Sequence, residues 1–234
     1  MKFIGNIQAI AGIHVPSEEF SPQDGASVRD IAVALGKKYK FAIAPGVGNQ
    51  MSMPTNLLPQ ILFQSGSLEL DGKNIAIGNL NLEATGLSIA SSSTEEAEIV
   101  VDDVVKLLVS DFHFHLNSKH VIKRYLSNLI VEFEDGFLEK IPLIAAIQNL
   151  IDGILPTFPG AEPHVGFKRI GFGRTPEESV TGFENVQKST FVIERRVGYP
   201  FEENRFYCSA PVQTKVHIET IEKIEQLVRA TSSK

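Results

Sequence analysis

The chain has 234 residues, 43% hydrophobic and 21% charged, with a net charge of −6. That content supplies a packed core and excludes bulk disorder, while the acidic balance speaks against binding nucleic acid through overall charge. No run reaches the roughly 18 apolar residues of a membrane span, and a single cysteine, Cys208, admits no internal disulfide, which points to a reducing, cytoplasmic setting.

Phe3, Ile7, Ala9, Ala11, Ile13 and Val15 fall on alternate or nearly alternate positions. The stretch from Met1 to Val15 therefore reads as a long strand rather than a secretion signal, for which it lacks a basic start and a small-residue cleavage site. A polar turn follows at residues 16–25. Ser27 with Asp30 forms a capping-box-like start, and Val28, Ile31, Ala32 and Leu35 make one helical stripe that Gly36 and the lysines after it are expected to end. Residues 40–44 read as a short strand, and 45–59, with three prolines and two glycines, as a long loop. A meander comes next: strands at 61–70, 75–84 and 87–90, with turns at Asp71-Gly72 and Thr85-Gly86. Ser93 and Glu96 then cap a helix whose stripe is Ala97, Val100, Val101, Val104, Val105 and Leu108.

The second half repeats this order. Residues 121–134 read as a strand with Leu129, Val131 and Phe133 on one face, and Asp135-Gly136 turns it. Pro142 opens a helix carrying Leu143, Ile144, Ile147, Leu150, Ile151 and Ile154. Strands follow at 165–172, 191–196 and 205–208, with a polar loop at 175–187 and a turn at Gly198-Tyr199-Pro200-Phe201. The last helix carries Ile218, Ile221, Ile224, Leu227 and Val228.

Hairpins in succession with segregated helices predict an α+β fold. The expected architecture is two similar β-α-β-β-β-α halves, 1–117 and 118–234, with an antiparallel sheet and helices packed on one face. The best local match between the halves sets Thr94, Val101, Val104 and Leu107 against Thr214, Ile221, Ile224 and Leu227. This order of elements resembles the duplicated half-units of the TATA-binding-protein-like fold, in which helices lie on one face of a curved sheet. The resemblance rests on element order alone and carries neither DNA binding nor any site with it.

Catalytic motifs are sparse. There is no G-x-x-x-x-G-K-[ST] phosphate cradle and no G-x-S-x-G nucleophile elbow. Ser91, Ser92 and Ser93 stand at a strand-to-helix corner, where capping accounts for them. Cys208, beside Phe206, reads as a small apolar strand residue. Asp111, His113 and His115 are the one metal candidate, since residues two apart on a strand share a face. The competing account is a polar strand face with Phe112 and Phe114 turned inward. Lys168, Arg169, Arg174, Arg195, Arg196 and Arg205 interleave with aromatic residues, as in single-strand binders, but Glu177, Glu178, Glu194, Glu202 and Glu203 nearly cancel them.

The leading expectation is a non-catalytic binding or assembly protein without a cofactor. It would act through a sheet face or the 191–208 hairpin, with Arg195, Arg196, Tyr199, Phe201 and Arg205 as contacts, because Arg and Tyr are favoured interface anchors. The expected partner is a protein or a second copy in a homodimer. The two alternatives are a metal-dependent enzyme at Asp111, His113 and His115, and a nucleic-acid-binding module on the second-half sheet.

Overall fold

The structure, a computed structural model, describes residues 1–22, 27–44, 60–117, 119–134, 137, 140–141, 144, 146, 169–173, 190–199 and 203–232. The expected loops at 45–59 and 175–187, the turn at 135–136, strand residues 165–168, residues 200–202 and nearly all of the 142–154 helix lie outside them. Only residues 144 and 146 of that helix are described, both helical, with Ile144 buried.

The described elements are β1 (Lys2–His14), a 3-10 turn (Ser17–Glu19), α1 (Val28–Lys38), β2 (Ile61–Leu70), β3 (Lys73–Glu83), β4 (Gly86–Ser91), α2 (Thr94–Phe112), β5 (Ile122–Glu132), β6 (Arg169–Gly173), β7 (Thr190–Arg195), β8 (Arg205–Ala210) and α3 (Thr214–Ser232). The fold is α+β, with the strands in one antiparallel sheet in the order β2-β3-β4-β1-β5-β8-β7-β6. Among the described residues, no helix is long and apolar enough to cross a membrane. The chain divides into two compact units, one of Gln8–Ser127 with Val212–Thr214, the other of Met1–Ile7, Asn128–Pro211 and Lys215–Lys234.

In the unit of Gln8–Ser127, β1 pairs with β4 from Ala9↔Ser91 to His14↔Gly86. Gly86 takes φ +136°, and a Cβ there would stand 2.0 Å from the Ile13 carbonyl oxygen, so only glycine fits this strand start. Ser27 accepts a hydrogen bond from the Asp30 amide and caps α1. The helix runs through Gly36 and ends at Lys38, among the lysines expected to close it. A glycine near a helix end costs about 1 kcal/mol or less, and here Tyr39 anchors the terminus. Fully buried Tyr39 donates its amide to Leu35 and its hydroxyl to the Asp103 carboxylate at 2.8 Å, while Lys38 reaches the same carboxylate at 2.8 Å. The strand expected at 40–44 is only an isolated bridge, Ile43↔Gln64, because Ser65 turns to φ +55° and its carbonyl takes the Ala42 amide.

The hairpin of β2 and β3 departs from simple alternation. Its buried residues are Ile61, Phe63 and Leu68 on one strand and Ile75, Ile77, Leu80 and Leu82 on the other. Cross-strand partners agree throughout: Ile61↔Leu82, Phe63↔Leu80, Gly66↔Ile77 and Leu68↔Ile75. The buried set thus changes parity in both strands at the same rung, next to Ser65 and Gly78.

Ser93 caps α2 by accepting the Glu96 amide at 3.1 Å, and Ala97, Val100, Val101, Val104 and Leu108 are buried as the periodicity requires. The helix extends one turn past Leu108, to Phe112, which is itself buried. His113 closes it in the left-handed region at φ 52°, and the Phe114 amide returns to the Leu108 carbonyl at 3.1 Å.

The first residue of α2, Thr94, and the first residue of α3, Thr214, cap one another. The Thr94 amide donates to Thr214 Oγ1 at 3.1 Å, the Thr214 amide donates to Thr94 Oγ1 at 2.6 Å, and the two hydroxyls lie 3.1 Å apart. Both side chains are buried. Each hydroxyl therefore serves an amide that a helix start leaves without an intrahelical partner.

The other unit packs Leu129, Val131, Phe133, Phe137, Ile193, Phe206, Cys208, Ile221 and Val228 together. Phe133 stacks on Phe137 at 3.8 Å and meets Phe206 edge-on at 5.2 Å. On α3 the expected stripe is corrected at one position. Leu227 is 67% exposed, while His217 and Glu225 are buried beside Ile221 and Val228. Positions 217, 221, 225 and 228 keep the helical spacing that 227 breaks. Glu225 pairs with the Met1 ammonium and with Arg229 at 3.2 Å, so its carboxylate is not left bare.

Candidate functional site

The hairpin of β7 and β8 holds most of the arginines singled out by the sequence. Its register is Val192↔Ser209, Ile193↔Cys208, Glu194↔Tyr207 and Arg195↔Phe206. The Arg196 amide continues it by donating to the Arg205 carbonyl at 2.9 Å. Residues directly opposite in an antiparallel pair share a face, and neighbours along a strand do not. Arg195 consequently lies with Ile193, Phe206 and Cys208, on the side of the core. Its guanidinium carbon stands 4.8 Å from the centre of the Phe206 ring. Arg196 lies on the opposite side with Glu194, Tyr207 and Arg205. The pleat thus places Arg195 and Arg196 on opposite faces of the hairpin.

On that second side, Tyr199 gathers two cations. Arg196 stands 4.7 Å and Arg205 4.8 Å from the centre of its ring. Gly198, at φ +88°, turns the chain to bring the ring back over the strands. Buried Asn204, at φ 45°, starts the return, and its carbonyl accepts the Phe133 amide at 3.1 Å. Arg205 is neutralised locally: its Nε lies 3.1 Å from Glu203 and 3.8 Å from Glu132. These are ion pairs rather than aligned hydrogen bonds, since that Nε–H makes no bond of good geometry. Arg196 has no such partner; among the described residues its one charge contact is the Tyr199 ring. Tyr199 is 37% and Val197 91% exposed beside it. Arg169, on β6, meets Glu194 at 3.8 Å. Phe201, the remaining expected contact, lies outside the described residues.

Asp111, His113 and His115 are placed differently from the strand expected of them. Asp111 is in the last turn of α2, His113 is its left-handed cap and His115 follows in irregular chain, all three exposed. The buried neighbours are Phe112 and Phe114, the latter edge-on to Phe20 at 5.1 Å. Among the described residues, no group of three or more His, Cys, Asp or Glu side chains could hold a metal ion.

Two polar clusters escaped the sequence reading. Glu98 accepts hydrogen bonds from Lys123, from the Tyr125 hydroxyl at 2.9 Å and from Gln213 at 3.2 Å. The Lys123 ammonium, then Tyr125 and Gln213, hold its carboxyl below the usual range against the opposing effect of burial. His120 pairs with Glu19 at 2.5 Å. Only the spacing of Lys123 and Tyr125, two apart on one strand face, foreshadows either cluster. Cys208 is fully buried, and burial pushes its thiol up to about 12, which leaves it protonated and inert.

No known family model matches the chain, and no curated protein is similar to it in sequence.

Proposed function

We propose that the protein is a non-catalytic binding or assembly factor of the cytoplasm that presents the β7–β8 hairpin to a protein partner or to a second copy of itself. The observation that carries this reading is the cation pair on Tyr199. Like charges directly opposite across two strands destabilise a sheet, yet Arg196 and Arg205 are paired in register. The Tyr199 ring and the carboxylates of Glu203 and Glu132 offset that repulsion, but Arg and Tyr gathered together are favoured interface anchors, and Val197 and Tyr199 stand exposed beside the pair. The single buried cysteine suits a reducing compartment.

We further propose that the chain is built of two similar halves. The strand order supports this: it reads β2-β3-β4-β1 and then β5-β8-β7-β6, each half placing its first strand beside its last. The mutual cap of Thr94 and Thr214, aligned residues of the two halves, is in keeping with it.

Photo-crosslinking in cells tests the contact surface. A benzoyl-phenylalanine at position 197 is expected to give a discrete adduct that Arg205→Glu weakens. The same probe at Val33, 57% exposed on α1, serves as the control. Adducts no stronger at 197 than at 33 would reject the hairpin as the contact surface.

A further inference from the structure

We infer that the Arg196 guanidinium recognises a carboxylate on an acidic, partly apolar segment of a protein partner. This rests on the reading of the hairpin as a contact surface and adds the chemistry of what it contacts.

The asymmetry between the two arginines is the starting point. Arg205 has two carboxylates within 3.8 Å, whereas Arg196, among the described residues, is in ion-pair range of none. The Tyr199 ring at 4.7 Å holds the Arg196 guanidinium in place but cannot use its N–H edge. A stacked guanidinium keeps a planar fork of donors whose geometry matches a carboxylate, with little rotamer freedom left to lose. Val197, 91% exposed, stands one residue away and offers an apolar contact beside that fork.

A polyphosphate chain fits the same place poorly. Nucleic-acid binding gains its affinity from several phosphate contacts made together. Here Glu194 shares the face of Arg196, and Glu203 and Glu132 flank Arg205 opposite it, each already engaged with an arginine, and the chain carries a net charge of −6. Several phosphates would meet those carboxylates; a single carboxylate need not. Charge complementarity therefore selects an acidic side chain flanked by an apolar one.

The test is an amide-shift titration of the full isotope-labelled chain. The probes are a blocked Leu-Glu-Leu-Glu-Leu peptide, its Leu-Gln-Leu-Gln-Leu counterpart and oligothymidylate. The acidic peptide is expected to shift the signals of Arg196, Gly198 and Tyr199 saturably. The glutamine peptide should bind at least about tenfold more weakly, the loss of one charge-assisted hydrogen bond. Arg196→Gln should weaken the acidic peptide by a similar factor and leave the glutamine peptide unchanged, with the remaining spectrum intact. Equal binding of the two peptides, no effect of Arg196→Gln or no saturable shift would each overturn the inference. Tighter binding of oligothymidylate at the same signals would overturn it in favour of a polyphosphate. If the adducts at position 197 persist while acid selectivity fails, the contact surface stands and only its assigned chemistry falls.

Discussion

Replacing both threonines of the shared helix cap, singly and together, measures how α2 and α3 depend on one another. Thr94→Val keeps the shape but removes the acceptor for the Thr214 amide and the hydroxyl–hydroxyl bond; Thr214→Val removes the acceptor for the Thr94 amide and that same hydroxyl–hydroxyl bond. With each buried hydrogen bond contributing about 1 kcal/mol, each single change costs about 2 kcal/mol. An orphaned buried amide makes that figure a lower bound. The double change loses three bonds, about 3 kcal/mol, rather than the sum of about 4 kcal/mol. The difference of about 1 kcal/mol is the bond counted in both singles. Urea unfolding of the four proteins, with the slope checked for constancy, gives the cycle. Additivity to within about 0.3 kcal/mol would refute the shared bond. So would single changes that cost no more than a surface substitution.

The Glu98 cluster predicts a pH dependence with a definite sign. Its carboxyl is held below the usual range, first by Lys123, so the stabilisation is complete above the ordinary carboxylate range and is lost as the pH falls from there through the lowered folded-state value. Glu98→Gln should cost about 1 kcal/mol at pH 7 and less at pH 3, by urea midpoints; an equal cost at both would contradict the ion pair. Cys208 should resist iodoacetamide at pH 8. A thiol shifted from 9.0 to about 12 holds roughly a thousandfold less thiolate, so alkylation at the rate of the urea-unfolded chain would show that the residue is not buried.

Local chemistry was the legible part of the sequence. Ser27 with Asp30 and Ser93 with Glu96 announce their helices because a cap is a short-range bond between residues three apart. The apolar stripe of α2 was equally plain. Its true end was not, since His113 is an unusual left-handed cap where glycine would have been the signal. The end of α1 was legible in Gly36 and the lysines after it, but the bond from Tyr39 to Asp103, distant in sequence, that holds this end was not. The candidate site was half legible. Alternation alone separates Arg195 from Arg196, but the pairing of Arg205 with Glu132, and hence the asymmetry between the two arginines on Tyr199, depends on which strands meet.

The parity change in the β2–β3 hairpin bears on how its strands find their alignment. In a uniformly alternating hairpin, a slip of two residues returns every side chain to its proper face, so burial alone barely opposes it. Here the change in β2, between Phe63 and Leu68, must stand opposite the change in β3, between Ile77 and Leu80. A two-residue slip would set one irregular rung against a regular one and turn apolar side chains to solvent on part of the hairpin. The interruption therefore acts as an index mark: it specifies a single alignment from within the strands, independently of the Asp71-Gly72 turn that joins them.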